Sequence, residues 1–193
     1  GNQGASLVDI GDGIACVEFH STLQPKLNPV DEYITEVMTE GVAKAEQEFR
    51  GLVIHHQGEN FSAGATLLRI LEAVQADQWA LLDEMIQVFQ GLTTGLRKAS
   101  IPVITAPFGF TFGGGCEITM GGDRVCAAAE SYIGLVEVGV GVIPAGGGCL
   151  FMLDRVLEGV DAPILSQIPF IRTAFENIGM AKVATSGEEA RDR

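Results

Sequence analysis

The chain has 193 residues, enough for one domain with a sizeable core, and its 47% hydrophobic against 19% charged content is that of a folding chain, not a disordered one. A formal net charge of −13 excludes a nucleic-acid-binding role, which needs clustered Lys and Arg against phosphates. No stretch approaches the roughly 18 apolar residues of a membrane span, so no membrane insertion is expected.

The opening Gly1-Asn2-Gln3 reads as a domain-junction remnant, not a secretory leader. Residues 6–9 and 14–19 are short apolar runs around Gly11-Asp12-Gly13, a hairpin signal. That Gly-Asp-Gly is not a dinucleotide fingerprint, because Cys16 stands where the third glycine belongs. Pro25-Lys26-Leu27-Asn28-Pro29 reads as a loop. Asp31 can cap a helix running to about residue 49, since Tyr33, Ile34, Val37, Met38, Val42 and Ala45 recur at helical spacing. Residues 51–54 form a short buried strand. His55 and His56 follow as strand-end residues with ordinary hydrogen bonds, as no neighbouring Cys, Asp or third His supplies metal-ligand spacing.

The small-residue stretch Glu59-Asn60-Phe61-Ser62-Ala63-Gly64-Ala65-Thr66 leads into an apolar helix over 67–74. Residues 78–98 read as a long amphipathic helix opened by Asp83 and Glu84 and closed by Arg97 and Lys98, with Trp79 as a packing residue. Residues 101–106 form a buried strand that enters Phe108-Gly109-Phe110-Thr111-Phe112-Gly113-Gly114-Gly115-Cys116-Glu117, read as strand, tight turn and helix start. Such a turn bares N–H groups at the positive end of a helix and sets Glu117 in its first turn. Asp123 reads as a turn or cap residue before a strand over 124–128. Glu137 then lies inside an apolar and Gly-rich run, 134–144, where burial would raise its pKa; the alternative is an edge residue pointing to solvent. Ala145-Gly146-Gly147-Gly148 opens a further helix. Residues 170–180 read as helical and 181–185 as extended, and Ser186 begins a capped helix in which the chain stops at Arg193. Cys16, Cys116, Cys126 and Cys149 are far apart without a CxxC pair, so reduced, buried thiols of a cytoplasmic protein are expected, with no metal site.

Two carboxylates in different surroundings can divide acid and base work, and two main-chain N–H groups converging on one oxygen stabilise an oxyanion. Glycosidases also use paired carboxylates, but one Trp and two Tyr make a poor sugar site. No G-x-S-x-G elbow is present for a serine hydrolase. From pattern alone the fold is α/β.

Phe61-Ser62-Ala63-Gly64-Ala65, Gly113-Gly114-Gly115-Cys116-Glu117 and the run from Gly134 to Gly147 resemble, in order, three signatures of the crotonase (enoyl-CoA hydratase/isomerase) superfamily. The wording is similar to the hydratase domain of fused 3-hydroxyacyl-CoA dehydrogenase/enoyl-CoA hydratase proteins. The resemblance implies a spiral of repeated ββα units forming a single domain over 1–193, C-terminally truncated as a fragment of a longer polypeptide. It implies that the Ala65 and Gly114 N–H groups hold the thioester oxygen of a trans-2-enoyl-CoA, and that Glu117 deprotonates a water attacking the β carbon. Glu137 would protonate the α carbon, and Lys26, Ala63 and Gly64 would contact substrate or CoA. The implied activity is enoyl-CoA hydration in fatty acid β-oxidation, needing no cofactor beyond the CoA of the substrate. NAD would belong only to a separate dehydrogenase domain of the parent. A trimer-based homo-oligomer is the implied assembly. The alternatives are a Δ3–Δ2 enoyl-CoA isomerase or other crotonase chemistry, and a non-catalytic acyl-CoA-binding module. Thr66 departs from the Asp common in the first signature, which leaves the Ala65 amide unaffected.

Overall fold

The computed structural model describes residues 1–22 and 24–192. In chain order the elements are β1 (Ala5–Gly11), β2 (Ile14–Phe19), α1 (Glu32–Glu48), β3 (Gly51–Ile54), α2 (Leu67–Gln75), α3 (Trp79–Lys98), β4 (Val103–Thr105), β5 (Gly109–Phe112), α4 (Gly114–Gly121), β6 (Arg124–Val125), β7 (Ser131–Gly134), a 3-10 turn (Glu137–Val140), α5 (Gly148–Leu157), α6 (Ile164–Gly179) and α7 (Gly187–Asp192). Asp12 and Gly13 both take positive φ, 53° and 72°, as a two-residue hairpin turn demands, and β1 and β2 pair antiparallel across them. From β2 onward the strands of the main sheet pair in parallel, which requires crossovers and yields the sheet order β1-β2-β3-β4-β6.

A second, smaller layer pairs β5 with β7 in parallel. Ser62 bridges Thr111 on the other side of β5. Each turn of the chain thus contributes a strand to the main sheet, a short extended piece to the small layer, and a helix outside both. This is the expected spiral of ββα units.

Local sequence explains the helices that hold these layers. Asp31 Oδ1 accepts from the Ile34 N–H at 2.9 Å, satisfying one of the free donors of α1. Ile34, Val37, Met38, Val42 and Ala45 then form one buried stripe against the main sheet. Leu92 and Leu96 of α3, Ile118 of α4, and Phe19, Leu52, Ile54 and Phe61 complete a contiguous core. At the far end Ser186 Oγ accepts from the Glu189 N–H, the expected cap of the last helix. Its expected stop at Arg193 lies outside the described residues.

Several expectations need correction. The segment after β4 does not run directly into the glycine turn, because Gly109–Phe112 forms β5 of the second layer. The expected strand over 124–128 keeps only Arg124 and Val125. Trp79 is not a packing residue; it is 58% exposed, as the first turns of α3 leave the core and only Leu92, Thr93 and Leu96 are buried. Asp83 and Glu84 lie beyond the first turn of α3, so they do not open it. Helix α6 starts at Ile164, earlier than expected, and accommodates Pro169 inside it. Cys16 and Cys116 are buried, but Cys126 and Cys149 are exposed; all four are free thiols. Asp123 serves as expected, its Oδ2 accepting from the Val103 N–H at 2.8 Å, which ties β4 to the turn before β6.

Candidate active site

The loop 61–65 lies against the glycine turn at 113–115. Phe61 N–H donates to Phe108 O at 3.0 Å, Ser62 N–H to Phe110 O at 3.0 Å, and Phe112 N–H to Ser62 O at 2.8 Å. On its other side the same loop is held by Ala63 N–H on Leu27 O at 2.7 Å and Val30 N–H on Gly64 O at 2.8 Å. Approach this close requires glycine. A methyl group on Gly64 would stand 2.9 Å from Phe112 O and 3.0 Å from the Gly114 nitrogen, and one on Gly115 2.7 Å from Ser62 O. Gly64 and Gly113 also take φ of 88° and 55°, in the left-handed region. The structure therefore brings the Ala65 and Gly114 loops into contact. Gly114 begins α4, where the N–H has no intrahelical partner, and neither amide has a hydrogen-bond acceptor among the described residues.

Both glutamates reach this junction. Glu117, in the first turn of α4, is 3% exposed. Its Oε1 accepts from the Gly148 N–H at 2.8 Å, so the carboxylate rests on the N-terminus of α5. Burial nevertheless pushes its pKa up to about 7; the Gly148 hydrogen bond opposes this, the nearby Glu137 charge adds to it, and the Gly146 amide offsets a little. Glu137 opens the 3-10 turn, not a strand, and both its carboxylate oxygens are buried without a hydrogen-bond partner. A methyl group on Gly113 would lie 3.4 Å from Glu137 Oε1, which places that carboxylate against the glycine turn. Desolvation raises its pKa too; the amides of Val136 and Glu137 temper the shift without making a well-aligned hydrogen bond. The solvent-facing alternative for Glu137 is thus overturned.

The remaining sequence-predicted positions divide. Ala63 and Gly64 lie at the junction as described. Lys26 is on the surface, its ammonium 3.6 Å from Glu59 Oε1 with 79% of the side chain exposed, so it contributes an exposed positive charge beside the loop and no contact inside the site.

Asn28, which escaped the sequence reading, and His56, expected to make ordinary hydrogen bonds, hold this geometry in place. Asn28, fully buried with φ 47°, accepts from the Ser21 N–H at 2.5 Å and donates to Phe61 O at 2.9 Å, with its amide nitrogen 2.9 Å from His56 Nε2. His56 is 3% exposed, and burial lowers its pKa, keeping the ring neutral. The pair fastens the 21–30 loop to the 61–65 loop from inside. A lone Asn in a Pro-rich loop carries no such signal in sequence. Asn28→Ala will lower unfolding free energy by about 3 kcal/mol, from stranded buried partners and a left-handed non-Gly backbone; a urea-unfolding shift under about 0.5 kcal/mol would contradict this. For the junction itself, Gly64→Ala will lower turnover about 100-fold, the scale of losing one oxyanion donor. Gly11→Ala is the control: Gly11 shares a positive φ of 95° but meets no atom within 4 Å, so turnover should change less than about threefold. Equal losses in the two variants would mean that backbone strain, not loop approach, is responsible.

The chain is similar to known proteins in sequence and in fold. Residues 9–159 match the family model for enoyl-CoA hydratase/isomerase. A Bacillus subtilis protein named "Probable 3-hydroxyacyl-CoA dehydrogenase" is 41% identical over 191 residues, covering 99% of this chain and 23% of the relative. The fatty acid oxidation complex subunit alpha of Shewanella frigidimarina is 33% identical over 146 residues, covering 71% of this chain and 19% of the relative. The chain therefore spans about a fifth of these relatives' length. Crystal structures of enoyl-CoA hydratases from Bacillus anthracis (TM-score 0.77, 22% identity, 98% of this chain, 67% of that one) and Thermoplasma volcanium (TM-score 0.79, 21% identity, 99% and 69%) share its fold. With a family match over most of its length, laid on a fold of the same kind, the chain belongs to the enoyl-CoA hydratase/isomerase family.

Proposed function

We propose that the chain is the hydratase part of a longer fatty acid oxidation polypeptide and adds water across trans-2-enoyl-CoA to give 3-hydroxyacyl-CoA. The observation that carries this reading is the pair of buried carboxylates, Glu117 and Glu137, at the junction of two loops with free main-chain N–H groups. The thioester oxygen accepts from the Ala65 and Gly114 amides, so electron density drawn from C3 toward C2 and the carbonyl is stabilised as an enolate. The C3 carbon becomes electrophilic.

The surroundings of the two acids divide their roles. Glu117 has a donor in Gly148 that favours its ionised form, which suits a base that takes a proton from water as the oxygen bonds to C3. Burial raises the Glu137 pKa and no well-aligned donor holds its ionised form, which suits it to carry a proton to C2. One C=C π bond and one water O–H bond break; one C–O and one C–H bond form. The carboxyls end with protonation exchanged, and solvent resets them. Lys26, exposed on the surface beside Glu59, is the positive charge offered to the CoA phosphates. Four unpaired thiols suit a reducing compartment, and a cytoplasmic location is part of the proposal.

Loss of the enoyl absorbance of crotonyl-CoA on adding the 193-residue chain tests the reading. Hydration at a rate proportional to protein supports it. Conversion of a 3-enoyl-CoA without water addition would assign an isomerase instead, and tight acyl-CoA binding without turnover a binding module.

A further inference from the structure

Phe89 of α3 packs beside both the turn that carries the Gly114 amide and the Gly146 backbone next to Glu117. A methyl group on Gly114 would lie 3.2 Å from Phe89 Cζ, so the ring abuts the turn carrying the Gly114 amide. A methyl group on Gly146 would collide with Phe89 Cδ1 and Cε1 and stand 2.6 Å from Glu117 Oε2. The ring and the Glu117 carboxylate therefore flank the same point, with only a glycine backbone beside them. Nor is the ring free to drift. One residue on, Gln90 Nε2 donates to Ala145 O at 2.6 Å, and one turn on, Thr93 Oγ1 donates to Gly146 O at 2.5 Å. Helix α3 is thus fastened at two points to the loop that the ring touches.

We infer that Phe89 is the end wall of the acyl site and restricts the chain to short enoyl thioesters, an inference that rests on the hydratase reading. With the carbonyl oxygen on the Gly114 amide and C3 beside Glu117, the chain beyond C3 has the Phe89 ring in front of it. A crotonyl group ends there. A decenoyl group needs the volume the ring fills. Met85 and Ile86, one turn earlier on α3 and 39% and 41% exposed, offer apolar surface for a longer tail once the ring is removed.

The test compares C4 and C10 trans-2-enoyl-CoA as substrates for the unaltered chain, Phe89→Leu and Phe89→Ala. The ratio of kcat/KM for C10 to that for C4 should be below about one-tenth in the unaltered chain, rise about tenfold or more in Phe89→Ala, and take a middle value in Phe89→Leu. The same ratio in all three proteins would overturn the inference, as would an unaltered chain that already prefers C10. If no protein hydrates C4, the hydratase reading fails, and the dissociation constants of butyryl-CoA and decanoyl-CoA decide the wall separately. A preference for butyryl-CoA that Phe89→Ala reverses upholds it; equal preferences, or no binding of either thioester, overturn it.

Discussion

Glu117→Gln will lower the hydration kcat by about 10³-fold, within the span of a positioned acid–base group, while leaving the fold intact. The side chains are nearly isosteric, and the Gln carbonyl can still accept from the Gly148 N–H. What is lost is the ability to take a proton. Because the Glu117 pKa is pushed up to about 7, kcat/KM for crotonyl-CoA should rise with pH through that value, and Glu117→Gln should remove the inflection.

The same shift acts on stability. A carboxyl whose folded pKa lies above its unfolded value of 4.5 binds more protons when folded, so unfolding free energy falls as pH rises from about 4.5 to about 7. For Glu117 the loss is roughly 3 kcal/mol. His56, lowered by burial, acts in the opposite sense, its neutral form favouring the folded state less as pH falls below 6.5. Comparing Glu117→Gln with the unaltered chain isolates the glutamate: the variant should be the more stable of the two at pH 7.5 and should lose that advantage at pH 4. Equal pH dependence by urea unfolding, with unchanged turnover, would remove Glu117 from the mechanism.

Glu137→Gln is expected to separate function from stability more sharply. The variant should lose turnover by about 10²-fold or more, since the proposed proton donor is gone. Relative to the unaltered chain it should also gain about 1–2 kcal/mol of stability on going from pH 4 to pH 7.5, because ionising a buried, unpartnered carboxyl lowers stability in a way a neutral amide does not. Functional groups held at a cost in stability behave this way. A relative stability lower at pH 7.5 than at pH 4, with the circular dichroism spectrum native, would show that the Glu137 carboxylate is a structural anchor.

Much of this site was legible in sequence because glycine and buried acid are rare combinations with narrow physical meanings. The Gly113-Gly114-Gly115 stretch read as a tight turn opening a helix, and α4 starts there, at Gly114; that Gly64 and Ser62 pack against it was not legible. Helix α1 followed from its cap and apolar spacing. The second layer was not legible: Gly109–Phe112 and Ser131–Gly134 are four-residue strands whose pairing is decided by tertiary contact, not by alternation. Glu137 could be placed as buried or exposed only once the 3-10 turn folded its side chain back onto Gly113. Trp79 misled because the helical period of α3 starts several turns before the helix reaches the core. Asn28 on Phe61, Gly148 on Glu117, and Phe89 on Gly114 and Gly146 act across contacts far apart in the chain, which no local pattern encodes.

The most direct measurement is a crystal structure of the chain with a non-reactive trans-2-enoyl thioester analogue of CoA. The account predicts the thioester oxygen within about 3.2 Å of both the Ala65 and Gly114 nitrogens, with Glu117 and Glu137 facing C3 and C2. An oxygen beyond hydrogen-bonding reach of either nitrogen, or a bound acyl group that neither carboxylate faces, would contradict it.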